Sequence, residues 1–194
     1  MSQQMYTKGE VRKRFLEKRW KLSHEEIANR SSSVASTLFV NFQWEKGELV
    51  HVFLPIKRQK EINTWPIIHD CWERGFQVVV SKSDFGNVSM SHFLLKPGTK
   101  LIENKWGIPE PEDAELVNAS AIGTVLVPLI AFDHSGHRVG YGKGFYDKFL
   151  SECNPGVRKI GLSFFSPADK INGEAHDVIL DYCITPDKVY SFKV

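Results

Sequence analysis

The sequence predicts an α/β protein built on an open, largely parallel sheet. Two observations carry that expectation. Apolar runs such as "FQVVVS" (Phe76 to Ser81) and "GTVLVPLIAFD" (Gly123 to Asp133) lack polar alternation, as strands buried on both faces require. Segments with helix punctuation separate such runs, and strands alternating with helices are the pattern of crossover-connected parallel strands.

The elements follow in order. "TKGE" (Thr7 to Glu10) and "SHEE" (Ser23 to Glu26) read as capping boxes, predicting helices from about Lys8 to Leu22 and from about His24 to Val40. "ELVHVFLP" (Glu48 to Pro55) is apolar, β-branched and closed by proline, hence a strand. "NTWPIIHDCWERG" opens on capping residues, has proline in its first turn and ends on Gly75, so it reads as a helix. Phe76 to Ser81 is the next strand, and "NVSMSHFLL" alternates enough to be a strand with one exposed face. "KPGTKLIENKWGIPEPED", with three prolines, reads as a long loop. The buried run Gly123 to Asp133 is a strand, and "HSG" after it is turn chemistry. "GFYDKFLSEC" forms a helix, "RKIGLSFF" (Arg158 to Phe165) a strand, and "DYCIT" a last short strand before a C-terminal tail.

The chain has 194 residues, 42% hydrophobic and 25% charged, enough for one domain spanning 1–194 with a core that needs no staples. A formal net charge of +2 implies no global attraction to nucleic acid or to a membrane. Cys71, Cys153 and Cys183 form no CxxC pair and read as reduced, buried thiols, so a cytoplasmic location is expected. The polar, basic N-terminus reads as no signal peptide, and no apolar run approaches the roughly 18 residues of a membrane span.

One stretch concentrates chemistry. In "RVGYGKGFYD" (Arg138 to Asp147), Gly140, Gly142 and Gly144 remove three Cβ atoms, allowing backbone N–H groups to approach an anion. A helix N-terminus follows, Arg138 and Lys143 add charge suited to phosphate, and Asp147 offers a carboxylate to Mg²⁺. A flexible surface turn has the same composition, and neither the P-loop nor the dinucleotide fingerprint is present, so the loop alone leaves both readings open. In open α/β sheets ligands sit beyond the carboxyl ends of strands, which is where this loop falls. On the first helix Lys8, Arg12 and Arg19 border the stripe of Val11, Phe15 and Leu22, whereas Lys13, Arg14 and Lys21 point to solvent. A solvated basic face, a phosphate contact and a nucleic-acid patch all fit that helix. Glu61 stands beside three basic residues in "KRQKEINT", where it balances charge or serves a ligand. Trp106, with Phe145 and Tyr146, offers flat surfaces to a heteroaromatic ligand. His134 and His137 lack a third ligand nearby, and His176–Asp177 reads as a surface pair.

The block "LVPLIAFDHSGHRVGYGKGFYDKFL" resembles the diagnostic block of the 5-formyltetrahydrofolate cyclo-ligase family. "KGEVRKRF", "LPIKRQKEINT", "WGIPEP" and "HDVILDYCIT" match further segments in the right order. The resemblance implies a three-layer α/β fold like that of ribose-phosphate isomerase and CoA-transferase-like proteins. It implies ATP- and Mg²⁺-dependent closure of 5-formyltetrahydrofolate to 5,10-methenyltetrahydrofolate, with ADP and phosphate released through an imino phosphate. By motif, Lys8 to Arg12 and Arg138, Val139, Gly140, Tyr141, Gly142, Lys143, Gly144, Phe145 and Tyr146 match the ATP-binding segments, with Lys143 and Arg138 the catalytic cations. Glu61 matches the substrate-binding glutamate, Phe53, Trp106, Phe145 and Tyr146 the folate-site aromatics, and Asp147 and Asp177 the proposed Mg²⁺ ligands. Relatives often carry tyrosine where Phe145 stands. The expected partners are ATP and 5-formyltetrahydrofolate, with no nucleic acid and no membrane, in a monomer.

Overall fold

The computed structural model describes residues 6–192. The reading of the chain's start as lacking a leader falls largely outside them. The first two helices, α1 (Lys8–Trp20) and α2 (His24–Asn41), begin where the sequence places them because both capping boxes close. Thr7 Oγ1 accepts from the Glu10 N–H at 3.3 Å while Glu10 Oε2 accepts from the Thr7 N–H at 2.9 Å. Ser23 and Glu26 repeat the exchange at 3.1 and 2.8 Å. Each box satisfies two donors that a helix start otherwise leaves open.

The chain continues through β1 (Leu49–His51), α3 (Trp65–Glu73), β2 (Gln77–Asp84) and β3 (Ser89–Leu95). A small hairpin of β4 (Leu101–Glu103) and β5 (Pro109–Pro111) follows, then β6 (Leu116–Val117) and β7 (Thr124–Pro128). A second arm pairs β8 (Ala131–Phe132) with β9 (Arg138–Val139), ahead of α4 (Phe145–Glu152), β10 (Arg158–Leu162), β11 (Tyr182–Ile184) and β12 (Val189–Ser191). Eight strands form one sheet in the order β12-β11-β10-β7-β1-β2-β3-β6. Its centre, from β11 to β2, is parallel, and β12, β3 and β6 add antiparallel edges.

Both sheet faces are covered, which is why the central strands are apolar throughout. Val78, Val80 and Leu126 pack with Val34, Leu38, Ile67 and Ile68 of α2 and α3. The alternate residues Val79, Val125 and Val127 pack with Phe149 and Leu150 of α4 on the other face. Val11 and Phe15 of α1 close a third cluster over Ile130, Ala131 and Val139. All three cysteines are buried and unpaired. No helix among the described residues is long and apolar enough to cross a membrane.

The structure corrects four expectations. The run from Gly123 to Asp133 is two strands, because Pro128 ends the ladder of β7, and β8 pairs instead with β9. The proline-rich segment is a hairpin, not a loop. Its ladder runs through the Ile102–Glu110 pair, between the Asn104 N–H to Ile108 bond at 3.0 Å and the Glu112 N–H to Lys100 bond at 2.8 Å. Pro109 and Pro111 therefore stand at alternate positions, where no N–H is needed. The strand expected over Glu48 to Pro55 shortens to three residues, and the C-terminal tail contains the edge strand β12.

Candidate active site

A cavity of about 660 Å³ opens beyond the carboxyl ends of β1 and β7. From β1 the chain order runs outward in both directions, through β2 on one side and β7 on the other. Such a switch point leaves a crevice that no crossover covers. The site residues expected from the sequence line this cavity except Val139 and, between Lys8 and Arg12, residues 9 to 11, of which Val11 is buried in the third cluster. The Val139 side chain is buried against α1 in the third cluster, because strand alternation turns it away from its neighbours Arg138 and Gly140.

The glycine loop joins β9 to α4. Gly142 and Gly144 take φ of +84° and +73°, a left-handed conformation that strains any residue with a Cβ. A Cβ at Gly142 would also lie 3.2 Å from Arg12 Nη2. Arg12 fixes the loop from outside by donating from Nε to the Gly140 carbonyl at 2.8 Å. Gly144 is the N-cap of α4 and brings no capping side chain, so the first turn of the helix keeps donors free beside the loop. Lys143 is exposed at the rim, with no ion pair or hydrogen bond among the described residues.

The other cations are paired. Arg138 is buried and donates from Nη2 to Asp147 Oδ1 at 2.7 Å and from Nη1 to the Val178 carbonyl. Burial lowers its pKa, against the charges of Asp147 and Asp177, which raise it. Asp147 Oδ1 also accepts from the Val178 N–H at 3.1 Å. Lys8 Nζ lies 2.7 Å from Asp177 Oδ2 and 3.3 Å from Glu174. Burial works to raise the Asp177 carboxyl, but the hydrogen bonds from Lys8 and the Glu174 N–H outweigh it and hold it below its ordinary value. Ligand atoms of Glu174, His176 and Asp177 lie within 4.8 Å of one another, so the pair read as a surface feature belongs to this rim. Asp147 is not in that group.

The opposite wall is carboxylate and aromatic. Glu61 is buried and accepts from the Ile56 N–H at 2.7 Å and from the Tyr141 hydroxyl at 2.7 Å. Burial raises its pKa, and those two donors work against the rise. Arg58 bonds the Trp106 carbonyl and packs beneath Gly107, pinning the hairpin loop over the cavity. Trp106 is 43% exposed, and its ring, Phe85 and Phe145 form a row with centroids 5.0 and 5.1 Å apart. Phe53 stands further in, almost fully buried.

The floor was not legible in the sequence. His51, ending β1, lies 2.7 Å by Nε2 from Ser81 Oγ of β2, which lies 3.0 Å from His92 Nδ1 of β3. One hydroxyl thus bridges the two imidazoles, as donor or acceptor according to each ring's tautomer. Burial pushes His51 well below the ordinary histidine range and His92 down to about 4. Phe149 of α4 stacks on His92 at 4.0 Å and leans on His51 at 4.8 Å, seating the helix that follows the glycine loop. The three polar residues come from three strands, and no spacing links them. The signal available was a histidine inside an apolar run, at "VHVF".

The cavity thus sets a cationic glycine loop against an aromatic wall with one carboxylate. The model of the 5-formyltetrahydrofolate cyclo-ligase family matches residues 4–186. The 5-formyltetrahydrofolate cyclo-ligase of Escherichia coli K12 is 29% identical over 139 residues, 68% of this chain and 75% of that protein. The solution structure of Aquifex aeolicus 5,10-methenyltetrahydrofolate synthetase superposes with a TM-score of 0.80 at 28% identity, covering 96% of this chain and 93% of the other. A 5,10-methenyltetrahydrofolate synthetase from Mycoplasma pneumoniae shares the fold, with a TM-score of 0.74 at 21% identity over 92% and 98% of the two chains. With the family match running from ahead of α1 to beyond β11, and so across every wall of the cavity, the chain belongs to the 5-formyltetrahydrofolate cyclo-ligase family.

Proposed function

We propose that this protein closes 5-formyltetrahydrofolate to 5,10-methenyltetrahydrofolate at the expense of ATP, releasing ADP and phosphate. The observation that carries the reading is the convergence, in one cavity, of a phosphate-suited loop and a wall suited to a flat heterocycle. The chemistry needs both at once. A formamide oxygen is a poor leaving group, so N10 cannot expel it unaided. In the proposed sequence the formyl oxygen takes the γ-phosphoryl group and ADP leaves. N10 then attacks the formyl carbon of the imino phosphate, the C–O bond breaks, and phosphate departs with the bonding pair as N10 loses its proton.

Such phosphoryl transfer depends on positioning and charge neutralisation rather than on a protein nucleophile. The unpaired Lys143 ammonium and the free N–H groups of the α4 first turn supply donors where phosphate charge builds. Arg138 is held rigid by Asp147 and the Val178 carbonyl, so it presents charge without having to reorganise. Arg12 ties α1 to the same loop, and Lys8 lines the same cavity from its pair with Asp177. The row of Trp106, Phe85 and Phe145 offers stacking surface to a pterin, and the buried Glu61 carboxylate accepts N–H donors at its edge.

The rim carboxylates fit Mg²⁺, whose preference is for hard oxygen donors. Asp177 with Glu174 beside it would hold it, and the second oxygen of Asp147, outside that group, is the further carboxylate on the cavity wall. A bound Mg²⁺ would neutralise phosphate charge. The likeness to the ribose-phosphate isomerase and CoA-transferase fold belongs to the same proposal, resting on helices covering both sheet faces.

The test is direct. Purified protein given 5-formyltetrahydrofolate, ATP and Mg²⁺ should produce the near-ultraviolet absorbance of methenyltetrahydrofolate, and omission of ATP should abolish it. Folded protein that forms no product under these conditions overturns the proposal.

A further inference from the structure

We infer that the Tyr141 hydroxyl couples the glycine loop to the Glu61 wall, so that nucleotide and folate bind with positive cooperativity. The inference rests on the proposed function and adds a role for a residue that the sequence assigned only to the nucleotide segment.

Tyr141 stands inside the loop, between Gly140, whose carbonyl is held by Arg12, and the left-handed Gly142. The residue is 38% exposed, yet its hydroxyl reaches inward. There it donates to Glu61 Oε1 at 2.7 Å and accepts from Arg19 Nη1 at 3.0 Å. Burial, reinforced by the charge of Glu61, raises the phenol pKa, so the group stays protonated and remains a donor. Arg19 is itself buried and anchored through Nη2 to the Leu129 carbonyl at 2.6 Å, just past the end of β7. Lys60, adjacent to Glu61, donates to the Trp20 and Leu22 carbonyls at 2.8 and 2.7 Å. A closed circuit results: the end of α1, the glycine loop and the Glu61 turn are tied through one phenolic oxygen and its neighbours.

The direction of the coupling follows from the chemistry. A carboxylate oxygen accepts more than one hydrogen bond, so an N–H of a heterocycle at Glu61 adds to the Tyr141 bond without displacing it. Residues 141 to 144 are all exposed, and among the described residues they are tied back through this hydroxyl, through Arg12 at the preceding Gly140 carbonyl, and through the Lys148 N–H at the Gly144 carbonyl. A phosphate on the loop N–H groups orders that segment and sets Tyr141 against Glu61. A folate on Glu61 orders the carboxylate and, through Tyr141, the loop. The second ligand then meets a site already arranged, which is cooperativity by shared ordering.

A binding cycle measures this. The affinity of a non-hydrolysable ATP analogue is determined by calorimetry with and without saturating 5-formyltetrahydrofolate, in the wild-type protein and in Tyr141→Phe. The wild type should bind the analogue about fivefold or more tighter when folate is present, with the reciprocal effect on folate. In Tyr141→Phe the factor should collapse towards one. A purely structural role would weaken both ligands together and leave the factor intact, and that result overturns the inference. So does a wild type that binds each ligand with no mutual effect. Wild-type protein that binds neither ligand removes the proposed function and the inference together, which keeps the two failures distinguishable.

Discussion

At the rim of the cavity, charge is kept by pairing; at its floor, charge is removed by burial. Lys8 sits on Asp177 and Arg138 on Asp147, each at 2.7 Å, and Arg12 donates to a carbonyl. Along the same cavity, His51 and His92 share a serine hydroxyl, and burial keeps both neutral. Rim groups that reach solvent can take a ligand oxygen at modest cost, because exposed charges are weakly paired, whereas the buried Arg138 keeps Asp147 and presents its charge already placed. The floor groups have no such exchange available. His51 Nδ1 and His92 Nε2 already lack partners, and a proton on either ring would place a charge in apolar surroundings. Charge that a ligand could meet therefore lies at the rim, and the floor carries buried, neutral polar groups.

The largest effect expected from this division is at Lys143. Among the described residues it is a rim cation with no ion pair or hydrogen bond, so Lys143→Ala should remove charge from the ligand alone. Turnover should fall roughly 100- to 1000-fold, as for loss of one transition-state donor, with the melting temperature unchanged. Steady-state kinetics beside thermal melts would read both. Full turnover in the variant would break the comparison at its rim.

The floor should respond to pH through stability. Both histidines have folded-state pKa values below the ordinary 6.5, so the unfolded chain binds more protons than the native one in that window. Stability is then complete above about pH 6.5 and is lost as pH falls through the range down to about 4, where His92 titrates. The slope approaches about 1.4 kcal/mol per pH unit for each histidine. Denaturant titrations at several pH values would measure it, and His92→Asn, which keeps a polar group toward Ser81, should flatten it. An unchanged slope in that variant would assign the acid sensitivity to carboxylates elsewhere.

The smallest effect separates the two sides of α1. Lys13 and Arg14 are exposed, and Arg14 has only a 3.8 Å pairing with Asp169. Replacing both with alanine should shift stability by no more than about 0.5 kcal/mol and leave the Michaelis constant for ATP unchanged. Replacing Lys8 and Arg12 should raise that constant several-fold. Equal effects from the two pairs would mean that general charge, not defined contacts, explains the basic helix.

How far the site was legible depended on whether its parts lie close together in the chain. The decapeptide was readable because glycines, cations and a helix start occur within ten residues. The hairpin carrying Trp106 was read as a loop, since three prolines argue against a strand unless each avoids a bonding position. Phe85 completes the aromatic row yet sits in a turn with no motif around it. Val139 was carried into the nucleotide segment by its neighbours, while strand alternation points it into the core.

By itself the sequence determined what local chemistry can determine. The capping boxes at Thr7 and Ser23 set two helix starts, because their bonds close within three residues. Unalternating apolar runs called for a sheet covered on both faces. Gly142 and Gly144 allowed the left-handed turn into α4. Only the tertiary structure decided which charges meet. Tyr141 and Glu61 are 80 positions apart, and Lys8 and Asp177 are 169 apart. The protonation states of His51 and His92 likewise depend on strands and a helix that bury them together. A side chain's type sets what it can do, but its pairing and dielectric surroundings come from packing, which no local pattern contains.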